Sequence, residues 1–89
     1  MTERTVRIVN RLGLHARAAA RFVREASVFQ CRIRVGYDGR EIDGKSILGL
    51  LTLAAVNGAE LRLVCDGPDE TAAAEALAAL VTSRFGEES

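Results

Sequence analysis

Gly13-Leu14-His15-Ala16-Arg17 is the point at which the hydrophobic period of this chain changes. Upstream, Thr5 to Val9 alternates, with Val6 and Ile8 on one face and Arg7 on the other, the pattern of a half-buried strand. Downstream, Ala16 to Ala26 follows a helical period. The only histidine of the chain therefore stands where a strand hands over to a helix. Such a junction presents unpaired backbone N–H groups and the positive end of a helix dipole, a good place to hold an anion such as phosphate. Imidazole is also nucleophilic, and Arg17 on the same first turn can pair with phosphate oxygens. The residues alone leave two readings open: a phosphorylatable histidine, or a polar side chain that helps to close a turn.

Working outward, Asn10 to Leu14 forms a loop in which Gly13 supplies conformational freedom. In the helix that follows, Ala16, Ala19, Ala20, Val23 and Ala26 are expected to face the core, with Arg17, Arg21, Arg24 and Glu25 outside that stripe. Cys31 to Val35 reads as a second strand, with Cys31, Ile33 and Val35 inward and Arg32 and Arg34 outward. Tyr37-Asp38-Gly39-Arg40 signals a tight hairpin into a short third strand, Glu41 to Asp43. Ser46 is a good helix N-cap. The segment after it, Ile47 to about Val56, is apolar nearly all round. With Leu50, Leu53 and Ala54 in the core, Ile47, Leu48 and Leu51 remain near the surface, either as a docking patch or as part of a more deeply sunk helix.

Asn57-Gly58 ends that helix, and Glu60 to Asp66 gives a fourth strand with Leu61, Leu63 and Cys65 inward. Gly67-Pro68-Asp69-Glu70 opens a last helix, Thr71 to Arg84, with Ala73, Leu77, Leu80 and Val81 as its buried stripe. Gly86 and an acidic tail finish the chain. The order β-α-β-β-α-β-α, with strands alternating apolar and polar, predicts an α+β two-layer open-faced sandwich. It consists of one four-stranded antiparallel sheet with three helices on a single face.

Eighty-nine residues make one domain, 1–89. The composition, 48% hydrophobic and 27% charged, is that of a globular protein, and few aromatics leave the core to Val, Ile, Leu and Ala. No stretch approaches the roughly 20 apolar residues of a membrane span. The N-terminus lacks a signal-peptide core, so a cytoplasmic location is expected. Net charge is zero but divided: residues 1–45 carry nine Arg and one Lys against five acids, and residues 46–89 carry two Arg against seven acids. A basic face around His15 would attract acidic partners. Nucleic acid is not an expected partner, because no aromatic stacking positions accompany the arginines. Cys31 and Cys65 lack zinc-site spacing and are expected to be small core residues; no metal is expected.

The segment N-R-L-G-L-H-A-R-A-A-A, Asn10 to Ala20, resembles the active-site segment of HPr, the histidine phosphocarrier family of bacterial phosphotransferase systems. G-K-S-I-L-G-L-L, Gly44 to Leu51, resembles the second, regulatory segment of that family. The resemblance covers nearly the whole chain and implies the same element order and architecture. It further implies that His15 accepts a phosphoryl group from phosphorylated enzyme I, itself charged by phosphoenolpyruvate, and passes it to a IIA-type protein. Arg17 would stabilise the phosphate. Ser46 matches the serine phosphorylated by HPr kinase/phosphorylase in many members; the alternative is that it only caps its helix. Arg21, Arg24, Ile47, Leu48 and Leu51 would form the partner-docking surface. The resemblance implies a monomeric component carrying a covalent phosphohistidine, with no cofactor and no stand-alone turnover, and an open site. A regulatory binding module of the same fold is the second reading.

Two positions depart from the family pattern. Ala18 stands where many members have proline, which predicts a slightly less rigid helix start. Leu12 occupies a position that is often polar in sugar-transport members and makes the segment look more like the nitrogen-related or regulatory branch.

Overall fold

The computed structural model describes all 89 residues. Alternating strands and amphipathic helices assemble in the order β1 (Thr2–Arg7), α1 (Ala16–Ala26), β2 (Arg32–Tyr37), β3 (Arg40–Asp43), α2 (Ile47–Leu53), β4 (Glu60–Asp66) and α3 (Glu70–Thr82). A 3-10 turn, Arg84–Gly86, follows. The strands form one antiparallel sheet in the order β1-β4-β2-β3. Val6, Ile33, Val35, Leu61, Leu63 and Cys65 point into a single core, while Thr5, Arg7, Arg32, Glu60 and Arg62 line the open face. α3 packs on β1 and β4, and α1 packs on α2 and α3. This is the expected open-faced sandwich.

The strand parities hold, with Leu61, Leu63 and Cys65 on the core side, although Val64 on the opposite face of β4 is buried as well; several boundaries differ. β1 begins at Thr2 rather than Thr5, since β4 offers partners along its whole length, from Thr2↔Cys65 to Arg7↔Glu60. Beyond β1, Ile8 still donates to the Ala59 carbonyl (2.8 Å) and accepts from the Gly58 N–H (2.7 Å). The hairpin is as read: Asp38 (φ 53°) and Gly39 (φ 78°) both take left-handed conformations, as a two-residue turn matched to strand twist requires.

α1 has the expected bounds, but its buried face is turned. Ala18, Ala19, Phe22 and Ala26 are buried, Ala20 and Val23 are half-buried, and Ala16 is exposed. Alanines offer little area to distinguish one stripe from the next, and Phe22 decides by carrying the largest apolar surface on the helix inward. α3 likewise buries Ala74 and leaves Leu80 half-buried. It stops at Thr82, two residues before the expected Arg84.

α2 ends at Leu53, well before Val56. Ala54 takes the left-handed conformation (φ 53°, ψ 34°) and is exposed; Ala55 is buried in its place. No glycine marks this stop in the sequence. The reversal turns the Ala55 carbonyl toward the Leu14 N–H, which donates to it at 2.9 Å. Gly13 (φ 70°) lies against the same segment, and a Cβ there would collide with the Ala55 carbonyl oxygen and Val56 Cα. A left-handed alanine costs about 1–2 kcal/mol relative to a glycine that adopts the conformation freely. Ala54→Gly is therefore expected to raise stability by about 1 kcal/mol in urea unfolding, against the usual sign for Ala→Gly near a helix.

Candidate functional site

The loop between β1 and α1 is built around Asn10, whose side chain is fully buried. Its Nδ2 donates to the Gly13 carbonyl (2.8 Å) and to Glu87 Oε1 (2.9 Å), and the Asn10 backbone carbonyl accepts from Asn57 Nδ2 (3.0 Å). With Leu14 tied to Ala55, this loop delivers His15 to the N-cap of α1 in an extended conformation (φ −84°, ψ 180°). The His15 carbonyl accepts the first helical bond, from the Ala19 N–H at 2.8 Å. The amides of Ala16 and Arg17 have no acceptor within the chain and point out of the helix end beside the ring. These donors, the helix dipole and the exposed Arg17 guanidinium make the anion-holding junction expected of this stretch.

His15 is less open than expected: its side chain is 25% exposed, because the chain's acidic tail folds back over it. Glu87 Oε2 meets His15 Nε2 at 2.5 Å while its other oxygen is held by Asn10. Desolvation pushes the Glu87 carboxyl up, but the hydrogen bonds from Asn10 and His15 and the nearby charge of Arg17 outweigh it and hold it below its ordinary value. The contact therefore stabilises the closed tail above the ordinary carboxylate range and weakens as pH falls through the lowered value. An ionised carboxylate can only accept, so Nε2 carries the hydrogen. In the neutral ring, Nδ1 then keeps a free lone pair.

Arg11, Leu12, Arg17 and Arg21 face Glu87, Glu88 and Ser89 across a shallow depression beside the ring. Arg21 Nη1 donates to the Phe85 carbonyl at 2.5 Å, so this arginine is already engaged with the tail. Arg24 is exposed in the last turn of α1. On α2, Ile47 and Leu48 are 42% and 76% exposed, whereas Leu51 is half-buried against the core. Val56 is also exposed, just beyond α2, an apolar position that the sequence reading left out. Ser46 caps α2, its Oγ accepting from the Gly49 N–H at 3.0 Å. Asn10 and Glu87 were the missed site residues; the only signal for the tail was Phe85, an apolar residue in an otherwise polar terminus.

Cys31 and Cys65 are buried, as their strand parity implies. Burial, reinforced by a hydrogen bond with Asp69, pushes the Cys31 thiol up to about 11. Neither thiol belongs to the site.

Residues 2–83 match the family described as the PTS HPr component phosphorylation site. The chain belongs to the HPr family. It is 46% identical to the phosphocarrier protein HPr of Cupriavidus necator over 98% of both chains. The structure of HPr-C-His from Thermoanaerobacter tengcongensis superposes with a TM-score of 0.96 at 44% identity, covering 100% of both chains. A structure of an HPr dimer from the same organism matches at a TM-score of 0.78 and 44% identity, covering 98% of this chain and 100% of that one. Membership of the HPr family makes a phosphotransferase-system phosphocarrier the coarse role of the chain. No helix is long and apolar enough to cross a membrane.

Within this HPr site, Asn10 is the residue that joins loop and tail. Removing its side chain loses the bond to the Gly13 carbonyl, which keeps the His15 N–H as its other donor (3.0 Å), and the charge-assisted bond to Glu87, together about 1–3 kcal/mol. Asn10→Ala is expected to lower the unfolding free energy by that amount in chemical denaturation.

Proposed function

We propose that the chain carries a phosphoryl group on His15 between phosphorylated enzyme I and a IIA-type protein. The observation that carries this reading is His15 itself: a half-buried imidazole at a helix N-cap, with a free Nδ1, beside unpaired amides and Arg17. Nδ1 attacks phosphorus as the donor's bond to phosphorus breaks and its electron pair stays with the donor. The Ala16 and Arg17 amides and the Arg17 guanidinium offset the charge that arrives. The protein needs no cofactor for this, and it acts in the cytoplasm as a monomer. The exposed Leu12 at the rim favours the nitrogen-related or regulatory branch over sugar uptake.

Docking uses Ile47, Leu48 and Leu51 for apolar contact, with Arg17, Arg21 and Arg24 steering acidic partners, because α1 and α2 are neighbours in the fold. HPr kinase/phosphorylase would act at Ser46. Added charge at a helix N-terminus is well tolerated, so modification there alters docking more than folding. A module that binds a regulator according to its phosphorylation state is the second reading, supported by Ser46 standing next to exposed Ile47 and Leu48.

Incubation with phosphoenolpyruvate and enzyme I, followed by intact-mass measurement, is expected to add one phosphoryl group that is lost in acid and kept in alkali. His15→Ala should take up none; uptake by that variant would overturn the assignment. Arg24→Glu is expected to slow transfer from enzyme I by about tenfold at low salt, with the gap closing as ionic strength rises.

A further inference from the structure

We propose that Glu87 is a positioning residue for His15, fixing the hydrogen on Nε2 so that Nδ1 meets phosphorus and the ring leaves as neutral imidazole. The proposal deepens the phosphocarrier reading and rests on it. Three observations carry it. The first is the contact itself: Glu87 Oε2 lies 2.5 Å from Nε2, and Oε1 is held from the other side by Asn10, so the carboxylate is fixed at both oxygens.

The second is the backbone that brings it there. Arg84 (φ 62°), Phe85 (φ 54°) and Gly86 (φ 80°) are successively left-handed, which turns the chain sharply back after α3. For Arg84 and Phe85, which carry a Cβ, this conformation is unfavourable. Full burial of Phe85 offsets this, and the charged bond from Arg21 to its carbonyl contributes further. The returning tail is thus a held conformation. The third is the set of charges beside the carboxylate: Arg17 on α1, whose charge acts on it directly, with Arg21, Arg11 and Glu88 lining the same depression. The basic groups outnumber the acidic one, which suits a carboxylate that stays ionised beside a phosphate site.

The chemistry follows from the hydrogen on Nε2. As Nδ1 bonds to phosphorus, the ring takes on positive charge and its N–H becomes a stronger donor to Glu87. In onward transfer the Nδ1–P bond breaks and its electron pair returns to Nδ1. If Nε2 keeps its hydrogen, the leaving group is neutral imidazole; if that hydrogen is lost, the leaving group is imidazolate, which departs far less readily. Glu87 holds the hydrogen in place through both steps and itself touches no phosphorus.

The test compares wild type with Glu87→Ala, which removes the contact, and Glu87→Gln, which keeps an acceptor without charge. Long-range ¹⁵N–¹H spectra of the unphosphorylated proteins read the His15 tautomer. The wild type is expected almost wholly as the Nε2–H form, Glu87→Ala as a mixture, and Glu87→Gln between them. Single-turnover transfer from the phosphorylated protein to a IIA protein should fall about tenfold in Glu87→Ala with affinity for the partner unchanged, equivalent to about 1.4 kcal/mol of transition-state stabilisation. The alkaline limb of its pH profile should move to lower pH. An unchanged tautomer in Glu87→Ala, or a transfer rate that rises because the tail only obstructs the ring, would overturn the proposal. Absence of any phosphoryl uptake by wild type would instead overturn the carrier reading, whatever the tautomer shows.

Discussion

The backbone bond from the Leu14 N–H to the Ala55 carbonyl, 2.9 Å long, is the tie on which the site depends. It joins the loop before α1 to the segment after α2, so that the start of one helix and the end of another hold each other. Two residues of unusual conformation make it possible. Gly13 lets the loop lie directly against Ala55 and Val56, and left-handed Ala54 stops α2 in time to aim that carbonyl. Without the tie, neither the free amides at the head of α1 nor the histidine at its cap would have a defined direction. α2 is thereby held against α1, so that the exposed Ile47 and Leu48 belong to the same helical layer as the histidine.

The architecture was legible because it rests on strong, repeated signals. Val6 and Ile8, Ile33 and Val35, and Leu61 and Leu63 alternate with charged residues, and a one-residue slip would put arginines into the core. The Asp38-Gly39 turn and the bounds of α1 were equally plain. What was not legible depended on long-range packing. The α1 face could not be read from alanines that differ little in area, and Phe22 settled it only by filling space under the sheet. The end of α2 was hidden because an alanine performs the turn that a glycine usually marks.

The site was half legible for a related reason. His15 and Arg17 lie within three residues, and a short motif carries them. Asn10 and Glu87 are 77 residues apart, joined by side-chain hydrogen bonds that no local pattern encodes. A terminal Phe-Gly-Glu-Glu reads as a polar end. It becomes part of the site only because Phe85 is buried and Arg21 reaches back to its carbonyl, both consequences of where α3 ends.

A carboxylate beside a phosphoryl site looks at first like an error of design, since like charges repel. Its placement on the ring resolves the conflict. Glu87 approaches Nε2, so the imidazole itself stands between the carboxylate and a phosphoryl group on Nδ1, and Arg17 lies near enough to act on the Glu87 charge. Repulsion that remains has a use in a carrier, which must release what it binds. A site made only of amides and guanidinium would hold phosphate ever more firmly as it gained donors. Adding one fixed negative charge behind the ring limits that hold while keeping the leaving nitrogen neutral. In this arrangement the same fold-level tie that points His15 outward lets the tail reach it from behind, so that Nδ1 takes up and releases the phosphoryl group while the carboxylate holds the hydrogen on Nε2 at the other edge of the ring.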